Sequence, residues 1–183
     1  MKSDEKLYAI AIQLNCCMEK ENRQAWHMLD DKFGLKYISS RSDTPHLTIL
    51  HDFKAEKQLM CTELEELSKK LTTFKITGNG LGIFVSSTPV IYIRWDINQQ
   101  LLDLADSLRN HLSFVDKKIN LNWIPRSTLA FKDTNYDNLS QILMELQKLD
   151  FKREMVVDTL CLIEYSLEMG EKIIAHFKLE SKN

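Results

Sequence analysis

Thr44 to Leu50 reads TPHLTIL, and Trp123 to Phe131 reads WIPRSTLAF. In both stretches a Pro precedes a nitrogen-bearing side chain, one intervening residue and a Thr, and an apolar run of strand type follows. Residues i and i+2 of a strand share a face, about 6.6 to 6.8 Å apart along the chain. His46 and Thr48 therefore project together while Leu47 and Ile49 turn into the core. The same parity pairs Arg126 with Thr128 and leaves Leu129 and Phe131 on the opposite face.

Outward from these strands, the chain alternates strand-like and helix-like segments. Leu7 to Leu14 is apolar on both faces, the pattern of a strand covered on two sides. Trp26, Leu29 and Phe33 fall at helical spacing within Glu19 to Phe33, and Gly34 supplies a stop. After the strand His46 to Phe53, a helix is predicted from Ala55 to Leu71. Phe74 to Phe84 is interrupted by Gly78, Gly80 and Gly82, which predicts a bent or bulged strand. Val90 to Ile97 alternates cleanly, with Ile91, Ile93, Trp95 and Ile97 on one face and Tyr92 and Arg94 on the other. Helices are predicted over Gln99 to Leu112 and Tyr136 to Leu149, and closing strands over Arg153 to Tyr165 and Lys172 to Leu179. This order implies an α+β architecture with helices outside largely antiparallel sheets. Each motif strand is followed by an amphipathic helix, a hint of two related halves.

Composition sets the limits. A chain of 183 residues, 44% hydrophobic, with 5 Gly and 3 Pro, suits a single domain over 1–183 with a substantial core. The net charge of -2 gives no global attraction to a polyanion, so a phosphate ligand needs a local basic cluster. Cys16, Cys17, Cys61 and Cys161 form no CxxC pair and no zinc-like spacing. They read as reduced thiols of a cytoplasmic protein. No apolar run approaches membrane-spanning length, and no secretory leader is evident.

The motif pair suits a phosphodiester. A His with an ordinary pKa of about 6.5 exchanges protons at neutral pH, and a Thr hydroxyl donates to a non-bridging phosphate oxygen. Two such pairs across a groove would grip one phosphate without a metal or other cofactor. The two stretches resemble the paired HxT motifs of the 2H phosphoesterase superfamily, the LigT-like or 2'-5' RNA ligase-like proteins. LGIF...TPVIYIRWD between the motifs, VDTLCLIEY near the end and the 80 positions from His46 to Arg126 support the likeness, which extends from about Leu7 to Leu179. It implies two pseudo-symmetric lobes of largely antiparallel sheet around a central groove. It also implies phosphodiesterase or cyclic phosphodiesterase action on RNA ends, oligonucleotides or small nucleotides with 2',3'-cyclic phosphates or 2'-5' linkages.

Carried over residue by residue, the resemblance covers His46, Thr48 and Thr128. Arg126 stands where the second His belongs. An Arg keeps its proton and cannot act as a general base, but it binds phosphate oxygens bidentately and stabilises negative charge. Losing one general acid or base costs about 10²- to 10⁴-fold in rate. Three accounts of Arg126 stay open: a catalytically inactive nucleotide-binding module, a slow enzyme using His46 alone, or an engineered replacement. A protein-interaction domain that keeps the motifs only as structural residues is a further alternative.

Candidate substrate-binding residues are Tyr92 and Arg94 on the face away from the core stripe, Arg41 in the polar lead-in to the first motif, and Lys132 in register with Arg126 and Thr128. Trp123 has the parity of Leu129 and Phe131, which favours core packing over base stacking. His51 has the opposite parity to His46, so a metal site from His46, His51 and Asp52 would need a distorted strand. A monomer is expected.

Overall fold

The computed structural model describes residues 6–116, 123–166 and 170–181. Its elements run β1 (Leu7–Gln13), α1 (Cys16–Phe33), β2 (His46–Phe53), α2 (Lys57–Ser68), β3 (Phe74–Phe84), β4 (Val90–Trp95), α3 (Gln99–His111), β5 (Arg126–Ala130), α4 (Leu139–Leu146), β6 (Glu154–Val157), β7 (Thr159–Ser166) and β8 (Gly170–Lys178). They build two four-stranded antiparallel sheets, ordered β2-β1-β7-β8 and β5-β4-β3-β6. The α+β expectation with largely antiparallel sheets is met. Each motif strand lies at the edge of its sheet, beside the strand that precedes it through a helix. The units β1-α1-β2-α2 and β4-α3-β5-α4 repeat that plan.

The alternation of large and small residues along β1 explains the architecture of the first sheet. Ile10 and Ile12 point into the main core, which both sheets and all four helices share. Ala9 and Ala11 point the other way and meet Cys161 and Ile163 of β7. Short side chains on that face leave room in front of the sheet, and Ala9 lines the cleft found there.

α1 starts at Cys16, three residues before the sequence reading places it, and buries Met18, Ala25, Trp26 and Leu29 at helical spacing. Gly34 ends it in the left-handed region, with its N–H donating to the Asp30 carbonyl at 2.8 Å. α3 is capped by Asn98, whose side chain accepts from the Leu101 N–H at 2.9 Å. The predicted irregularity of Phe74 to Phe84 is present as a register shift between Gly78 and Leu81 against β4. Among the described residues no helix is long and apolar enough to cross a membrane.

One expected strand is two. The segment Arg153 to Tyr165 divides at Asp158, so that β6 pairs with β3 in one sheet and β7 pairs with β1 in the other. The Asp158 carbonyl accepts from the Leu179 N–H at 2.8 Å, which holds the crossover. β6 buries alternate residues, whereas β7 buries Leu160 to Ile163 in succession because it lies inside its sheet with apolar groups on both faces.

Candidate active site

The two motif strands meet edge to edge between the sheets. Paired indole hydrogen bonds tie them at the level of the motif threonines. Trp26 Nε1 of α1 donates to the Thr128 carbonyl at 3.3 Å, and Trp123 Nε1, just before β5, donates to the Thr48 carbonyl at 3.2 Å. Trp123 is thus packed against the core, as its parity suggests, and its polar edge faces the neighbouring motif. Below them Trp95 Nε1 donates to the buried Ser127 hydroxyl at 3.0 Å. Leu47, Ile49, Ser127 and Leu129 are buried and anchor the strands, while His46, Thr48, Arg126 and Thr128 line one cleft of about 280 Å³.

His46 is held by its own loop. Nδ1 lies 2.9 Å from the Thr44 carbonyl, which only accepts, so Nδ1 carries the proton of the neutral ring and Nε2 keeps its lone pair. Nε2 lies 3.9 Å from Glu171 Oε2 across the cleft, at an imidazole only 14% exposed. An imidazole oriented by a backbone acceptor, with the other nitrogen turned to a cleft, is the arrangement of a proton acceptor.

Arg126 is half-buried. Its guanidinium lies 5.1 Å from the centre of the Phe84 ring, and Nη1 donates to the Ile124 carbonyl at 3.3 Å. Burial lowers its pKa, against a smaller upward pull from Tyr92. Among the described residues no carboxylate pairs with it. An Arg stays charged even so, which leaves a desolvated cation with unused donors at the cleft wall.

Tyr92 lies beneath this group. It is 5% exposed, opposite Thr128 in the β4–β5 register, and stacked on Phe84 with centroids 4.5 Å apart. A Cβ on Gly82 would come within 2.4 Å of the Tyr92 ring, so the glycine is what lets the ring lie flat there. Tyr92 therefore supports Phe84 and Arg126 and is not itself among the side chains that line the cleft. Arg94 pairs with Arg126 across the strands but is exposed outside the cleft.

Lys132 departs from the expected register. β5 ends at Ala130, and Lys132 has φ of 67°, which turns its ammonium over the Tyr37 ring at 4.9 Å. Phe131 reaches the cleft wall, and not the core with Leu129, because β5 carries an extra residue: Tyr92 pairs with Thr128 but Ile91 pairs with Ala130. Arg41 sits beside the cleft. Its guanidinium is 5.3 Å from the Tyr37 ring centre and donates to the Ser166 carbonyl at 3.3 Å, while its backbone carbonyl accepts from the Glu171 N–H at 2.6 Å.

Sequence parity also misplaces His51. Ile10 pairs with Leu50 but Ala11 pairs with Thr48, so β2 carries an extra residue between them. The bulge reverses the faces beyond it, and His51 joins His46 and Thr48 at the cleft. Its Nδ1 lies 2.6 Å from Asp52 Oδ2. Asp52 has φ of 63°, in the left-handed region that Asp tolerates better than most residues. Its N–H donates to the Tyr165 hydroxyl at 3.0 Å, and that hydroxyl donates to Asp52 Oδ1. Burial pushes the Asp52 carboxyl up, but the hydrogen bonds from Tyr165 and His51 outweigh it and hold the carboxyl below its ordinary range. Burial, with Asp52 adding to it, pushes the Tyr165 phenol well up. Among the described residues no three His, Cys, Asp or Glu side chains gather as metal ligands.

The comparisons agree with this geometry. The family model described as the 2'-5' RNA ligase superfamily matches residues 21–168. An Oceanobacillus iheyensis protein provisionally named a phosphoesterase is 33% identical over 127 residues, 68% of this chain and 72% of the relative. The crystal structure of TT0787 of Thermus thermophilus superposes with a TM-score of 0.70 at 17% identity, over 97% of this chain and 100% of that one. E. coli LigT complexed with 3'-AMP superposes at 0.65 and 17% identity, over 95% and 98%. Those two likenesses are of fold. The family match spans most of the sequence, and the chain belongs to the 2'-5' RNA ligase superfamily of 2H phosphoesterases.

Proposed function

We propose that this protein is a slow, metal-independent phosphodiesterase of the cytoplasm, acting on 2',3'-cyclic phosphates or 2'-5' linkages at RNA ends or in small oligonucleotides. In this reading His46 Nε2 takes the proton of the attacking water. The hydroxyls of Thr48 and Thr128 hold non-bridging oxygens, and Arg126 stabilises the charge that builds on them. The observation that carries the reading is the sharing of one cleft by an imidazole, a guanidinium and two threonines from edge strands of different sheets. The crystal structures of E. coli LigT with 3'-AMP, ATP and NADP+ support a small nucleotide as ligand.

The test is turnover of 2',3'-cyclic nucleotides and 2'-5'-linked dinucleotides in the presence of EDTA. Turnover that disappears in His46→Ala supports the assignment. Absence of turnover, together with nucleotide affinity that weakens with salt and in Arg126→Ala, would replace it by a nucleotide-binding module, the reading that the permanently charged Arg126 favours.

A further inference from the structure

Arg126 leaves the motif pair with one titratable nitrogen, yet the cleft holds a second imidazole. His51 is half-exposed at the cleft wall, and its Nδ1 is engaged by Asp52, which leaves Nε2 to face a ligand. Asp52 is itself fixed twice by the Tyr165 hydroxyl, which accepts from its N–H and donates to its carboxylate. A carboxylate that orients an imidazole, and is oriented in turn by a third group, is a recurring arrangement for proton transfer. Nothing in the packing of β2 requires it, because His51 and Asp52 are both exposed.

The bulges also set the span. His46 to Phe53 runs alongside only Gln13 to Tyr8, so two extra residues are taken up within β2. His51 thus lies about four strand residues from His46, about 13 Å between Cα atoms at a rise of ~3.3 Å per residue. Two side chains directed into one cleft from that separation leave room for a sugar phosphate between them.

We propose that His51 is the second proton-transfer residue of the cleft, the one that protonates the leaving oxygen, with Asp52 and Tyr165 as its positioning residues. This rests on the phosphodiesterase reading above. Water loses a proton to His46 Nε2 as its oxygen bonds to phosphorus. One ribose P–O bond breaks, its electron pair goes to the ribose oxygen, and that oxygen takes the proton from His51 Nε2. The two rings then exchange protons with solvent and return to their starting states. His46 suits the accepting role because its lone pair faces the cleft. His51 suits the donating role because its Nδ1 is engaged by Asp52 Oδ2 at 2.6 Å, which orients the ring and leaves Nε2 as the nitrogen that meets the leaving oxygen.

The experiment compares two leaving groups with the full chain: a nucleoside 2',3'-cyclic phosphate, whose alkoxide needs a proton to depart, and the 4-nitrophenyl ester of the same nucleoside 3'-phosphate, whose phenolate does not. His51→Gln is expected to lose about 10²- to 10⁴-fold in kcat on the cyclic phosphate and about tenfold or less on the nitrophenyl ester. Asp52→Asn and Tyr165→Phe are expected to share that selectivity with smaller losses. Equal losses on both substrates, or none on either, would overturn the role of His51 while leaving the phosphodiesterase reading intact. If the unmodified protein turns over neither substrate, the phosphodiesterase reading fails and this inference falls with it.

Discussion

Removing the Arg126 guanidinium without removing its bulk tests whether the protein keeps that cation for a ligand. Among the described residues it has no carboxylate partner, and one donor goes to the Ile124 carbonyl, so other donors of its fork remain for a phosphate. Hydrogen bonds to charged groups contribute about 1.5–3 kcal/mol each. At about 1.4 kcal/mol per tenfold, Arg126→Met is expected to weaken binding of a nucleoside 3'-monophosphate roughly 10- to 100-fold. Arg126→Lys should fall between the two, since it keeps the charge but not the bidentate fork. Stability should change by no more than about 1 kcal/mol, because relief of a half-buried charge offsets the lost contact with Phe84. Calorimetric titration at low salt gives the affinities and thermal unfolding gives the stability. A loss of less than about threefold in a folded Arg126→Met protein, under ~0.7 kcal/mol, would show the guanidinium to be a structural group that stays out of the ligand's reach.

Two further outcomes follow from the packing. Gly82→Ala is expected to displace the Tyr92 ring, and with it Phe84 and the guanidinium resting on Phe84, because the new methyl would stand 2.4 Å from ring carbons. Overpacking of this kind costs about 1–3 kcal/mol, and nucleotide affinity measured by calorimetry should fall although the substituted residue lines no part of the cleft. Cys161 is buried and its thiol is pushed up to about 12, chiefly by desolvation, whereas Cys16 and Cys17 are exposed. Iodoacetamide near pH 8 should therefore modify Cys16 and Cys17 in the native protein and Cys161 only after denaturation, as peptide mapping would show. The same raised thiol makes a contribution to stability that is complete below an unfolded-state pKa of about 8.5 and is lost as pH climbs towards the folded value, so urea midpoints should fall on the alkaline side.

The motif strands, the helix positions and the α+β class were all legible in the sequence, because burial imposes a period of two or 3.6 that single residues report. The pairing of His46 with Thr48 and of Arg126 with Thr128 followed from the same parity, as did the anchoring role of Leu47 and Leu129. The alternation of alanine and isoleucine in β1 held a further signal, that one face of the sheet was left open. Parity failed wherever the backbone left the regular strand: at the β2 bulge that brings His51 to the cleft, and at the positive φ that takes Lys132 away from it. A bulge depends on the partner strand and a left-handed residue on its surroundings, so neither leaves a periodic trace. The division at Asp158 is of the same kind, since β6 and β7 continue one extended run and separate only by pairing with strands of different sheets. The order of amino acids dictates which side chains each strand offers. Which of those offers meet is settled by packing, because two sheets must come edge to edge before residues 80 positions apart can share one cleft.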